Sequence, residues 1–427
     1  MGFEVKSIGE VCSVGDGAHS KVTRVETGIP YLTSKNIGQG FLKLDKLDYI
    51  SEESFEKLFS KDSKATRRPQ AGDVLFGIIG SFGNTYLYKE SDFFGFSSSI
   101  GILRPNPELL DSEYLYYVVS SKKFRDNHAN HNSGSVQGYT NIPTVKGLPV
   151  PVPSIAVQKK IAKVLQSLDR KIAVNQQTNQ TLEAMAQAIF KSWFVDFDPV
   201  KAKMLGEQPE GMDEATASLF PEKLVESELG LIPEGWEVNQ LSDICKNHSQ
   251  SYDLKSVDEV IFVNTGDVLE GDFLHKDYSP VAGLPGQAKK AIKEDDILYS
   301  EIRPKNKRFA YVDFDVSDYV VSTKFMVIQA NEKVHPRLLY MILTRQNTID
   351  EFNVIADSRS GTFPQITFKA ISNLNFCIAP REVQDAFITQ VMPMIKLQRS
   401  LKTENKQLAE LRDTLLPKLL SGEIELG

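Results

Sequence analysis

The chain has 427 residues, 41% of them hydrophobic and 25% charged, a balance that excludes a disordered protein and calls for two to four domains rather than one core. Its three scattered cysteines, Cys12, Cys245 and Cys377, are too few and too far apart for a disulfide framework or a Cys-x-x-Cys zinc site, and suit a reducing cytoplasm. The net charge of −7 excludes a protein that coats nucleic acid through bulk charge, so a polyanion would have to be met locally, by clusters such as KDSKATRR (61–68) and RPKNKR (303–308).

The opening MGFEVKSIGE lacks the apolar core of a signal peptide, and Lys6 breaks the myristoylation pattern after Gly2. DVLFGII (73–79) is a β-branched and aromatic run that predicts a strand, and it is far too short to span a membrane. DSEYLYYVVSSKKF (111–124) predicts an amphipathic helix. HANH (128–131) sets two histidines one turn apart, but without further ligands nearby it reads as a polar loop rather than a metal site. GLPVPVPS (147–154) is Pro-rich and extended.

A long helix over about 154–193 follows, with an apolar stripe at Val157, Ile161, Val164, Leu168, Ile172, Leu182, Ala186, Ile189 and Trp193, interrupted by Asn175 and Asn179. The step from Leu168 to Ile172 is out of heptad phase and predicts a stutter. Asp196 and Asp198 come just after the helix, where a solvated or packing role outweighs acid–base chemistry.

The second half repeats the first. FEVKSIGEVC (3–12) falls on WEVNQLSDIC (236–245), and GDVLFGIIGSFGNTYLY (72–88) falls without a gap on DDILYSEIRPKNKRFAY (295–311). DILYSEI (296–302) predicts the matching strand and HPRLLYMILTRQNTIDEF (335–352) the matching helix. The last helix, about 380–421, carries Val383, Phe387, Met394, Leu401, Asn405, Leu408, Leu415 and Leu419, with Pro393 expected to kink it. At a shift of 226, Asn179 meets Asn405, which makes the two a candidate register pair in the helix seam.

The expected fold is therefore α+β: two tandem mixed α/β domains, each followed by a long helix, the helices forming an antiparallel coiled coil with pseudo-two-fold symmetry. Two equal modules held at a fixed distance suit duplex DNA, whose geometry repeats in the same way. The alternative is a duplicated protein- or glycan-binding adaptor. No P-loop, dinucleotide fingerprint, nucleophile elbow or Asn/Asp-Pro-Pro-aromatic methyltransferase motif is present, so no catalysis is legible.

The chain resembles the specificity (S) subunit of type I restriction–modification enzymes over nearly its whole length. The residues that carry the resemblance are PSIAVQKKIAKVL entering the first long helix, MAQAIFKSWFVDFDPV leaving it, SELGLIPEGWEV (227–238) and GDVLF (72–76). APREVQDAFITQV and DDILY depart from the family pattern. The resemblance implies two target-recognition domains, 1–153 and 236–379, two conserved helices, 154–195 and 380–427, and a linker, 196–235. It implies a cytoplasmic, non-catalytic subunit without a cofactor or membrane segment. The expected partners are double-stranded DNA, two methyltransferase subunits using S-adenosylmethionine to methylate adenine, and restriction subunits using ATP and Mg.

Reading DNA requires donors, acceptors and cations that reach base edges and phosphates. In the gapless pair the flanks agree while the centres diverge, GSFGNT (80–85) against RPKNKR (303–308), as expected of two modules reading different sequences. The candidate DNA-binding residues are Asn84, Arg303, Lys305, Asn306, Lys307 and Arg308 at these centres. Lys35, Asn36 and Gln39 follow a first-half strand, Ser135 and Gln137 lie later in that half, and Thr362 and Gln365 lie in the second.

Overall fold

The computed structural model describes residues 3–62, 66–131, 139–359 and 363–426. The chain divides into two compact units, one made of residues 1–179 with 399–427, the other of 180–398.

The first unit is built on an antiparallel four-stranded sheet in the order Cys12–Asp16, Ile100–Pro105, Val74–Gly77, Thr85–Leu87. A second sheet pairs Ile29–Leu32 antiparallel with Asp48–Ile50 and parallel with Gly95–Phe96. The Pro-rich stretch is a strand, Pro149–Pro151, paired with Val5–Ser7, so the start of the domain is tied to the start of its helix. Proline is tolerated there because a two-stranded ribbon leaves one edge unbonded.

The second unit repeats this order. Its four-stranded sheet runs Cys245–His248, Phe325–Ala330, Ile297–Ser300, Phe309–Tyr311, and Glu237–Gln240 pairs with Asn375–Ile378. Its other sheet joins Ser279–Pro280, Glu259–Val263, Tyr319–Ser322 and Ala288–Ala291. Local chemistry repeats as well. Ser7 and Gln240 each donate a backbone N–H to an acidic side chain three residues on, Glu10 and Asp243.

Each amphipathic helix of the domains is two helices rather than one. Ser112–Ser120 stops at Ser121, an extended residue whose hydroxyl caps Lys122–Asn130 by accepting from Phe124 N at 3.2 Å. Pro336–Thr344 likewise stops at extended Arg345, before Gln346–Arg359.

The long helices are Ile155–Lys191, ending in a π turn at Ser192–Asp196, and Arg381–Ser421. The second runs unbroken through Pro393. Within each unit, segments of the two pack antiparallel. In the first unit Asn175 bonds Asn405 and Asp169 bonds Arg412, so six residues back along one helix is seven forward along the other. In the second, Glu183 accepts from Gln398 and Phe190 meets Phe387 edge-on at 5.9 Å.

The cores follow the same division. Ile161 and Leu165 of the first long helix and Leu416 and Leu419 of the second are buried with Tyr114 and Val118. Phe190, Trp193 and Phe387 are buried with Phe220, Trp236, Leu338 and Ile342. Burying each side chain of this size contributes about 1.5–3 kcal/mol, enough to seat each domain on a helix pair.

Candidate nucleic-acid interface

In each unit three segments meet at one end of the four-stranded sheet. In the first they are the 3₁₀ turn Ser34–Asn36 with its continuation to Gly40, the hairpin loop after Val74–Gly77, and Tyr139–Thr140. The Ser34 hydroxyl donates to Ile79 O, Gly40 N donates to Thr85 O at 2.8 Å, and Thr140 N donates to Ile78 O at 3.0 Å. In the second unit they are Thr265–Asp267 with its continuation to Gly271, the loop 301–308, and 363–366. Gly271 N donates to Phe309 O at 2.9 Å, and Ile366 N to Glu301 O at 2.8 Å. The frame is the same in both, and the tips differ.

Several candidate residues are occupied in holding this frame. The Asn36 amide accepts from Thr33 N at 2.9 Å and donates to Lys43 O and Lys46 O, fixing its own turn. Asp267 does the first of these tasks in the second unit, accepting from Asn264 N at 2.9 Å. Asn84 donates to Ile37 O at 2.7 Å and accepts from Gln39 Nε2 at 3.1 Å, so the pair pins the turn to the hairpin. Arg308 does the same in the second unit, donating to Gly266 O at 2.8 Å and Val268 O at 2.9 Å. Lys307 pairs with Glu270 at 2.9 Å.

Other candidates face solvent. Lys35, Arg303, Lys305 and Asn306 are exposed. Lys305 is fixed through its backbone, whose N–H donates to Asn353 Oδ1 at 2.8 Å, which leaves the ammonium outward. Gln365 is half-buried and bridges to Ile302. Ser135, Gln137 and Thr362 lie outside the described residues. Of the candidate register pair, Asn405 accepts a hydrogen bond from Asn175 at 2.9 Å, and Asn175 also donates to Glu404.

Sequence reasoning missed the aromatic residues of these tips. Phe363 is 56% exposed, with the Arg303 guanidinium 5.7 Å from its ring centroid. Phe82 stacks on His128 with centroids 3.9 Å apart and planes 14° from parallel. His128 is fully buried, Phe76 meets it edge-on, and burial, reinforced by His131, pushes its imidazole down to about 4. HANH is thus a helix end rather than a loop, with His128 turned inward and Ala129, Asn130 and His131 exposed. An isolated aromatic in a Ser/Gly/Thr-rich loop, as in SGTFPQ, is the signal that could have found Phe363.

The backbone of the tips is informative too. Gly80 lies at φ 82, and Arg303, opposite it in the repeat, lies at φ 44. Left-handed geometry suits glycine and costs other residues roughly 1–2 kcal/mol.

Among the described residues no group of three or more His, Cys, Asp or Glu could hold a metal ion, and no helix is long and apolar enough to cross a membrane. Two outward tips on duplicated frames can position donors and cations; they offer no nucleophile–base pair.

Residues 1–184 and 233–410 match the family described as Type I restriction modification DNA specificity domain. The chain belongs to that family. The chain is 47% identical over 179 residues to the HindI specificity subunit of Haemophilus influenzae, a match covering 41% of this chain and 39% of that one. It is 27% identical over 437 residues to the MjaIX specificity subunit of Methanocaldococcus jannaschii, covering 99% and 93%. The S subunit of a type I restriction–modification system from M. genitalium shares its fold at a TM-score of 0.57, with 16% identity over 100% of this chain and 97% of that one. The specificity subunit is thus a DNA-recognition component rather than an enzyme, and its family implies no cofactor of its own.

Proposed function

We propose that the specificity subunit reads a bipartite DNA target, one half-site per domain. The observation that carries this is the repeated three-segment end of each unit. One frame presents GSFGNT in the first and RPKNKR in the second, and a kept frame with a changed tip is what two readers of different sequences need.

The long helices then serve as the scaffold for two methyltransferase subunits, which bring S-adenosylmethionine to adenine. Restriction subunits supply ATP- and Mg-dependent cleavage, and the complex works in the cytoplasm. The balance of −7 supports the same division of labour. Phosphate neutralisation supplies most non-specific affinity, so a subunit with no cation excess binds DNA weakly until its partners add theirs.

Mapping methylated adenines in the native genome with and without this gene tests the reading. The expected result is a split motif that disappears with the gene. Loss of no methylated motif on deletion refutes it.

A further inference from the structure

Five described residues other than glycine have positive φ: Phe197, Glu270, Asp295, Arg303 and Lys307. Four are explained by what they touch. Phe197 packs edge-on against Trp236 at 5.5 Å. Glu270 and Lys307 pair with each other. Asp295, which stands where the first domain has Gly72 at φ 89, accepts a hydrogen bond from the Tyr311 hydroxyl. Arg303 is held in this geometry by its backbone, whose N–H donates to Pro364 O at 3.1 Å and whose carbonyl accepts from Asn306 N at 2.8 Å, as Gly80 adopts it in the first domain; its side chain has no such account. Its guanidinium makes no hydrogen bond or ion pair to any described residue; it is exposed and lies over the face of Phe363, itself exposed.

A strained position for an exposed cation is explicable when the side chain must reach a particular place. Neutralising a phosphate makes no such demand. Lys305, two residues on, already offers an exposed ammonium from an unstrained backbone. Phosphate contacts tolerate a point charge, whereas two bonds to one guanine edge are met best by a planar fork in a fixed orientation. A cation–π contact with an aromatic face favours one placement of the guanidinium.

We propose that Arg303 reads a guanine in the half-site of the second domain, donating to its O6 and N7, and that Phe363 is the positioning residue that holds the guanidinium plane. This rests on the DNA-reading function above. At the equivalent position the first domain has Gly80 and no side chain, so its half-site has no matching contact.

The test replaces the chromosomal gene with Arg303→Gly, Arg303→Lys or Phe363→Ala and sequences the methylome. In Arg303→Gly one G·C pair of one half-site becomes degenerate, its discrimination falling roughly 5- to 150-fold, while the other half-site is unchanged. The Tm of the purified subunit is unchanged or raised by about 2 °C, since glycine relieves the left-handed strain. Arg303→Lys keeps the charge and weakens discrimination at the same pair, by less than Arg303→Gly does. Phe363→Ala relaxes that pair alone and leaves methylation elsewhere in the motif intact. If Arg303→Gly fails to assemble, Arg303→Asn, which tolerates the same backbone, gives the same reading.

An unchanged motif in Arg303→Gly overturns the assignment, and so does degeneracy at an A·T pair. Uniformly weaker methylation with the motif intact also overturns it and makes Arg303 a phosphate contact. A wild-type gene that leaves no sequence-specific methyl mark refutes the DNA reading itself, a failure visible before any substitution is made.

Discussion

Acid should loosen the first unit through His128. The ring is fully buried between Phe82 and Phe76, and burial lowers its pKa from 6.5 to about 4. The folded protein therefore holds the neutral imidazole, while the unfolded chain takes up a proton near 6.5. The stabilisation is complete above pH 6.5 and is lost progressively as pH falls towards 4. The difference between 6.5 and about 4 is about 2.5 units, and at 1.36 kcal/mol per unit the loss is about 3 kcal/mol. His128→Leu removes the titrating group and keeps an apolar filler. Urea unfolding followed by far-UV circular dichroism at pH 7.5, 6, 5 and 4 measures both proteins. Both tryptophans, Trp193 and Trp236, lie in the second unit, so fluorescence supplies an internal control. The gap in stability between wild type and variant should change by about 3 kcal/mol across this range, with the fluorescence transition moving equally in both. Equal acid sensitivity of the two proteins by circular dichroism would refute the reasoning.

Replacing Asn175 and Asn405 together with leucine should change stability by no more than ~1 kcal/mol, because both partners of their hydrogen bond leave at once while Glu404, which loses the bond from Asn175, keeps Lys171 at 3.4 Å. The same variant should broaden the spacing between methylated half-sites as the helix register loosens, which methylome sequencing reads. Lys305→Ala should lower the salt dependence of DNA binding by the assembled complex by about one unit of slope and leave the motif unchanged. Arg308→Ala should cost the second unit about 1.5–3 kcal/mol by thermal or urea melting, since two charge-assisted bonds to Gly266 and Val268 are lost. Exchanging residues 1–153 for the corresponding segment of another specificity subunit should change one half-site only, and a change in both would refute the modular reading.

The duplication was legible because the matched segments supply strands of the same sheet in the same order. GDVLF and DDILY even share a left-handed first residue, Gly72 and Asp295. The breaks at Ser121 and Arg345 were not legible, because both residues are compatible with a helix interior and only capping and packing stop the helix there. Asn179 and Asn405 coincide in the repeat, yet repeat offset gives equivalence and not contact. In an antiparallel pair the residue facing Asn405 is set by the packing, and it is Asn175. At the tips, sequence identified residues able to bond a base but not which bonds were already made. Asn36, Asn84 and Arg308 look free on the page and are committed in the fold.

The composition of the first unit has a consequence for biosynthesis. Its seam needs residues 399–427 to cover Leu165 and Asn175, and these are translated well after them. From residue 179 to 399 the ribosome adds 220 residues, roughly 11–44 s at about 5–20 residues per second. For that interval the nascent first helix displays an uncovered stripe, and a neighbouring nascent chain could offer it the same surface. A buried asparagine in the stripe makes such premature pairing weaker than an all-leucine seam would be. Residues 399–427 thus act as a closing clasp: the first domain, although made before the second, is completed only after the second has been made.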